Sequence, residues 1–178
     1  WLHEYLEDFK GQEDALRYTL CATAPESKDT DFTWADFQAR NNNELVAIFG
    51  NFINRVVVLT NKYWDGVVPS QNDLDSYDKE VLEKLAAFPN KISESIEKFR
   101  FREALAELMN LARLGNKYLA DTEPWKLKKT DESRTETIMN IAMQIAASLA
   151  ILSEPFMPFS SSKLKDILTL ENVNWNDA

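Results

Sequence analysis

Two places in the chain put hydrogen-bonding or stacking side chains where helix formation alone does not ask for them. Asn51 and Arg55 stand four residues apart, so a helix there carries both on one face, one turn apart, beside its apolar stripe. Their donors can then converge on one ligand. In TEPWK, Trp125 follows Pro124, whose ring stiffens the approach, and precedes Lys126, Lys128 and Lys129. A rigid aromatic face beside ammonium groups suits stacking on an unpaired base, worth about 1–3 kcal/mol per base, while the lysines meet phosphates. Each feature also has a plainer use. Asn and Arg one turn apart are commonplace on exposed helices, and a tryptophan at position 125 can plug the core, as Trp34 and Trp64 can.

The chain has no comparable set for catalysis. His3 is the only histidine, sits among surface-type residues and is expected to be solvated. Glu94, Glu97, Glu103 and Glu107 lie at helical spacing among lysines and arginines, the pattern of a salt-bridged outer face. Gly50 and Gly115 are isolated in helical patterns and form no phosphate-cradling loop; close helix packing is the expected reason for them. Cys21, the single cysteine, lies in the apolar run TLCATA and reads as a small buried hydrophobe rather than a nucleophile. No metal-ligand cluster is seen, so no catalytic and no metal residue is assigned.

The elements that must position Asn51, Arg55 and Trp125 are helices. With 44% hydrophobic residues over 178 positions the chain can bury one sizeable core. Its apolar residues recur at three and four, and only 4 glycines and 6 prolines interrupt them. Up to Ala24 the pattern gives one or two short helices broken at Gly11, with Leu16, Leu20 and Cys21 inward, then a polar connection from Pro25 to Phe32. A long helix is expected from Trp34 to about Tyr63, capped by Thr33, with Phe37, Leu45, Ile48, Phe49, Phe52, Ile53, Val56 and Leu59 as its stripe. Pro89 should break or kink the next helix, which starts at Tyr77 and resumes through Ile92, Ile96 and Phe99. Arg102 to Leu119 follows. Ser133, with Glu136 reaching back, should cap a helix carrying Ile138, Ile141, Ile145, Leu149 and Leu152 on one face. Pro155 and Pro158 close it, and Ser160 to Leu168 is a last short helix. The expected fold is all-α: a bundle of about five helices over 33–178, preceded by a connecting segment, 1–32, of short helices.

The balance of 20 basic against 29 acidic residues, a net charge of -9, argues against a general affinity for polyanions. It leaves room for a local site that holds a single-stranded loop by stacking and base-edge hydrogen bonds. No run of about 18 uncharged apolar residues suggests a membrane span, and Glu4, Glu7 and Asp8 stand where a signal peptide needs apolar residues, so a cytoplasmic location without membrane contact is expected.

Four stretches, DALRYTL (Asp14 to Leu20), NNNELVAIFGNFINRVVVLTNKYWDG (Asn41 to Gly66), FREALAELMNLARLGNKYLADTEPWK (Phe101 to Lys126) and ILSEPFMPFSSSKL (Ile151 to Leu164), resemble the anticodon-binding helical domain of methionyl-tRNA synthetases together with the segment that leads into it. The specific part is asparagine, arginine four residues on, and a later Pro-Trp. The resemblance implies that Asn51 and Arg55 bond base edges of the anticodon, that Trp125 stacks on one of its bases, and that the partners are the tRNA for methionine and the catalytic domain of the same enzyme. It further implies a fragment: the HIGH-type and KMSKS-type motifs and the zinc knuckle are missing, so ATP with magnesium, and any structural zinc, belong to the rest of such an enzyme. This chain alone should catalyse nothing. Two other readings fit the residues: the equivalent domain of an isoleucine, leucine, valine or cysteine synthetase, and a helical protein-interaction module anchored by Trp125.

Overall fold

A computed structural model describes residues 2–26 and 28–178. Trp1 and Ser27, which the sequence reading puts in the lead-in and in its polar connection, lie outside the described residues. Among the described residues there is no strand. The chain runs through α1 (Leu2–Asp8), α2 (Glu13–Ala22), α3 (Trp34–Arg40), a π-helical stretch (Asn41–Gly50), α4 (Asn51–Trp64), α5 (Ser76–Glu97), α6 (Phe101–Thr122), α7 (Pro124–Leu127), α8 (Glu132–Leu152) and α9 (Pro158–Ile167).

The apolar spacing builds one core. Phe52 and Val56 from α4, Val81 and Ile92 from α5, Leu108, Leu111 and Leu119 from α6, and Ile138, Ile141, Ile145 and Leu149 from α8 are all buried in it. Helix α8 is the axis. Beyond its charged first turns it is apolar enough, by length and composition, to cross a membrane, but most of that stretch is buried inside the protein, as the core helix of a bundle must be. Among the described residues Asp78 supplies the one fully buried charge. It receives Tyr118 Oη at 2.6 Å and Arg134 Nη2 at 2.9 Å, so one carboxylate ties α5, α6 and α8 together.

The lead-in is bolted to the far end of the chain by two residues of DALRYTL. Asp14 accepts from the Ser160 amide at 2.5 Å and so serves the exposed N-terminal donors of α9 from another helix. Arg17 donates to the carbonyls of Pro155 and Phe156 at 3.0 and 3.3 Å. Two of the stretches that carry the family resemblance therefore touch, although about 140 positions separate them.

Several expectations are corrected. Helix α5 runs through Pro89 unbroken, because Leu85, Phe88 and Ile92 pin both sides of the proline into the core. It ends at Glu97: Phe99 takes a left-handed φ of 56°, and the Arg100 and Phe99 amides bond back to Ser95 and Ile96, a Schellman closure with phenylalanine where glycine is usual. Asp131, not Ser133, caps α8 by accepting from the Arg134 amide, and Glu136 bonds Asn72 instead of reaching back. Pro158 opens α9, where its missing N–H costs nothing. Leu20 is half exposed, because α2 turns Asp14, Tyr18 and Thr19 inward instead, and Trp34 stands outside the core in a ring cluster with Tyr5, Phe9, Phe32 and Phe37.

Candidate nucleic-acid interface

The long helix starts where expected, with Thr33 Oγ1 accepting from the Asp36 amide at 3.1 Å, and continues to Trp64. Its middle third is π-helical, a form that is rare and usually confined to single turns at functional sites. At its exit Gly50 leaves only 3.1 Å between a would-be Cβ and the Leu45 carbonyl of the same helix, so this glycine serves the wider turn and not a neighbouring helix. Asn51 is the first residue of the α-helix that follows.

Gly115 lets α6 approach α4. A Cβ there would lie 2.5 Å from Cε2 and Cζ of Phe52, whose ring is wholly buried. The close crossing brings Asn116, next along α6, to the exit of the π stretch. Its Nδ2 donates to the Ile48 carbonyl at 2.9 Å and to the Ala112 carbonyl at 3.1 Å, and its Oδ1 accepts from Asn51 Nδ2 at 3.1 Å.

Helix α6 stops at Thr122, and Glu123 turns the chain with a φ of 44°. Pro124 then starts the single turn α7, which swings Trp125 back over α4. Trp125 is half-buried: part of the indole packs against the core, and the Arg55 guanidinium carbon lies 5.0 Å from its ring centroid. Trp125, Arg55, Asn54, Val58 and Leu59 line an open cleft of about 320 Å³. Among the described residues Arg55 has no carboxylate partner, so its remaining donors are available. The nearby acids are occupied: Asp121 by Lys117 at 2.5 Å and Tyr77 at 2.7 Å, which hold its carboxyl below the usual range, and Glu123 by Lys126 at 2.8 Å. In an acidic protein the cleft is a local exception.

The structure thus joins Arg55 and Trp125 directly and leaves Asn51 one turn along, exposed and bound to Asn116. The three lysines differ. Lys126 and Lys129 are exposed, whereas Lys128 lies 4.3 Å from the Trp64 ring centroid, pairs with Glu132 and keeps only 19% of its side chain exposed. Its methylene stem and charge fasten α7 and α8 to the end of α4. Asn54 and Asn116 were not singled out in the sequence. Asn54 shares the Asn51 to Arg55 turn, and Asn116 is a polar residue beside a packing glycine on the inward side of α6, a signal that could have marked it.

The chain matches the family described as the anticodon binding domain of methionyl tRNA ligase over residues 68–178, and tRNA synthetases class I (M) over residues 1–57. Arg55 and Trp125 fall in different matched stretches, so the cleft is assembled from both. It is 65% identical over 178 residues to methionine-tRNA ligase of Flavobacterium psychrophilum, covering 99% of this chain and 26% of that protein. It is 67% identical over 168 residues to methionine-tRNA ligase of Christiangramia forsetii, covering 94% of this chain and 24% of that protein. The chain thus spans about a quarter of the length of these curated relatives. The fold resembles that of Mycobacterium tuberculosis methionyl-tRNA synthetase, with a TM-score of 0.82, 24% sequence identity, and coverage of 86% of this chain and 32% of that one.

Proposed function

We propose, for a chain that belongs to the family of methionyl-tRNA ligase anticodon-binding domains, that its cleft at Arg55 and Trp125 holds the anticodon loop of the tRNA for methionine. The observation that carries this reading is the unpaired Arg55 guanidinium lying over the half-buried Trp125 ring at the mouth of an open cleft. An unpaired base extends that stack, either on the guanidinium plane or on the indole once the guanidinium swings aside. Arg55, Asn51 and Asn54 offer donors and acceptors to base edges; the exposed Lys129 can meet phosphates directly, and the exposed Lys126 can do so by exchanging its ion pair with Glu123. Lys128 is left to its packing role.

The whole enzyme would join methionine to this tRNA in the cytoplasm, with ATP and magnesium held by its catalytic part. The lead-in supplies a surface for that part: Leu2, Tyr5, Leu16, Leu20, Phe32 and Trp34 form an almost wholly apolar groove, with Trp34 56% and Leu2 63% exposed. Titrating the chain with a CAU anticodon stem-loop tests the reading. Tryptophan fluorescence should be quenched, and replacing the C should weaken binding. Equal affinity for both loops would remove the methionine assignment.

A further inference from the structure

We propose that Asn116, on α6, is a specificity-determining positioning residue: it locks the Asn51 side-chain amide so that Asn51 offers an outward acceptor to an amino-bearing base and cannot turn to suit a keto-bearing one. The inference rests on the anticodon reading above and adds to it the origin of discrimination at one base.

Two backbone carbonyls, of Ile48 and Ala112, fix the orientation of both amides. The terminal atom of Asn116 that lies 2.9 Å from the Ile48 oxygen and 3.1 Å from the Ala112 oxygen faces two acceptors, so it must be the amide nitrogen. Its Oδ1 is then the atom facing Asn51, and it can only accept. The Asn51 atom 3.1 Å away is therefore Nδ2, and Asn51 Oδ1 must face away from α6. Asn51 is exposed, so that oxygen is presented to solvent one turn from Arg55.

Three features of the fold serve this relay. The π stretch ends at Gly50 and delivers the Ile48 carbonyl beside α6. Gly115 permits the approach to Phe52 that puts Asn116 within reach. The Ala112 carbonyl, one turn earlier on α6, supplies the second anchor. A free asparagine can flip its amide to give an acceptor to a cytosine or adenine amine, or a donor to a uracil or guanine carbonyl. A locked one cannot exchange the two ends of its amide, so a keto oxygen placed where the amine would sit meets Asn51 Oδ1, acceptor against acceptor. Discrimination arises as much from this repulsion as from the bond to the right base.

The test measures affinities of the full chain for stem-loops with CAU and with UAU, for the parent, Asn116→Ala, Asn51→Ala and the double variant. The parent should favour CAU by about tenfold, as one hydrogen bond to a base edge allows. Asn116→Ala should bring the ratio close to one, mainly by improving UAU binding. In the Asn51→Ala background it should have no further effect on the ratio. A general loosening of the fold would instead lower both affinities and leave the ratio standing. If Asn116→Ala does not fold, Asn116→Ser replaces it: the hydroxyl can bond Ala112 but is too short to hold Asn51, and the same loss of discrimination is expected. A parent that discriminates while Asn116→Ala and Asn116→Ser do so equally overturns this inference and leaves the anticodon reading intact. A parent that binds both loops equally overturns the reading and this inference with it.

Discussion

Replacing Gly115 by alanine perturbs the crossing on which the site depends. The added Cβ would lie 2.5 Å from two ring carbons of Phe52 and 2.9 Å from a third, where carbons settle at about 3.5–4.0 Å. Either the ring retreats by roughly 1 Å or α6 lifts off α4 by the same amount. Phe52 is wholly buried among Val56, Leu111 and Leu119, so there is no free volume for it to enter. With three overlaps and nowhere for the ring to go, overpacking here costs about 2–3 kcal/mol, the upper part of the usual range. Alanine's better helix propensity returns about 1 kcal/mol, leaving a net loss of about 1–2 kcal/mol. For a domain of this size that lowers the melting temperature by roughly 2–8 °C, read by thermal denaturation under far-ultraviolet circular dichroism. Phe52→Leu in the same chain should restore part of the loss. The alternative response, a lifted α6, draws Asn116 away from Ile48 and Asn51, so loop discrimination should fall along with stability. A Gly115→Ala protein that melts at or above the parent temperature would refute the packing account of this glycine.

Asp78→Ala strips the buried partner from Arg134 and Tyr118 and should cost about 3 kcal/mol in denaturant unfolding. Burial by itself raises the Asp78 carboxyl, but the bonds from Arg134, Tyr118 and the Asp75 amide outweigh it and hold the group below the usual range. A carboxyl lowered by folding contributes stability above its unfolded value, roughly 4, and loses it as pH falls through the folded value. The parent should therefore lose stability on acidification below about pH 4 by more than Asp78→Ala does, in matched pH titrations of unfolding. Phe99→Gly should raise the melting temperature, since Phe99 is 76% exposed and holds a left-handed φ of 56° that glycine adopts freely; a gain of about 1 kcal/mol is expected, and a loss would show that the ring's edge contact with Phe101 outweighs the strain.

Most of the bundle was legible because its cores repeat at helical spacing: Leu105, Leu108, Leu111, Ala112 and Leu119 are buried as their positions require. What failed was local competition. Pro89 signals a break, but flanking core residues outweigh one lost hydrogen bond. Asp131 and Ser133 are both good caps by residue type, and only the structure shows that Asp131 takes the Arg134 amide. Leu16 and Leu20 look inward on an isolated helix, yet α2 turns its polar Asp14 and Thr19 inward because α9 supplies a partner for the carboxylate. At the site, helical spacing joins Asn51 to Arg55, and Pro124 announces that Trp125 is presented at a turn. The direct meeting of Arg55 with Trp125 was suggested by resemblance alone, because no spacing rule links positions 70 residues apart. The π stretch had no signal beyond Gly50, and Asn116 acquires its role only through the closeness that Gly115 permits.

Binding of an unpaired base by the Trp125 ring is probed by Trp125→Leu. Leucine keeps an apolar group over the partly buried seat of the indole but has no flat face and cannot hold the Arg55 guanidinium. Affinity for the CAU stem-loop should fall by about 1–3 kcal/mol while the melting temperature stays within a few degrees of the parent. Unchanged affinity in a folded Trp125→Leu protein would contradict the account.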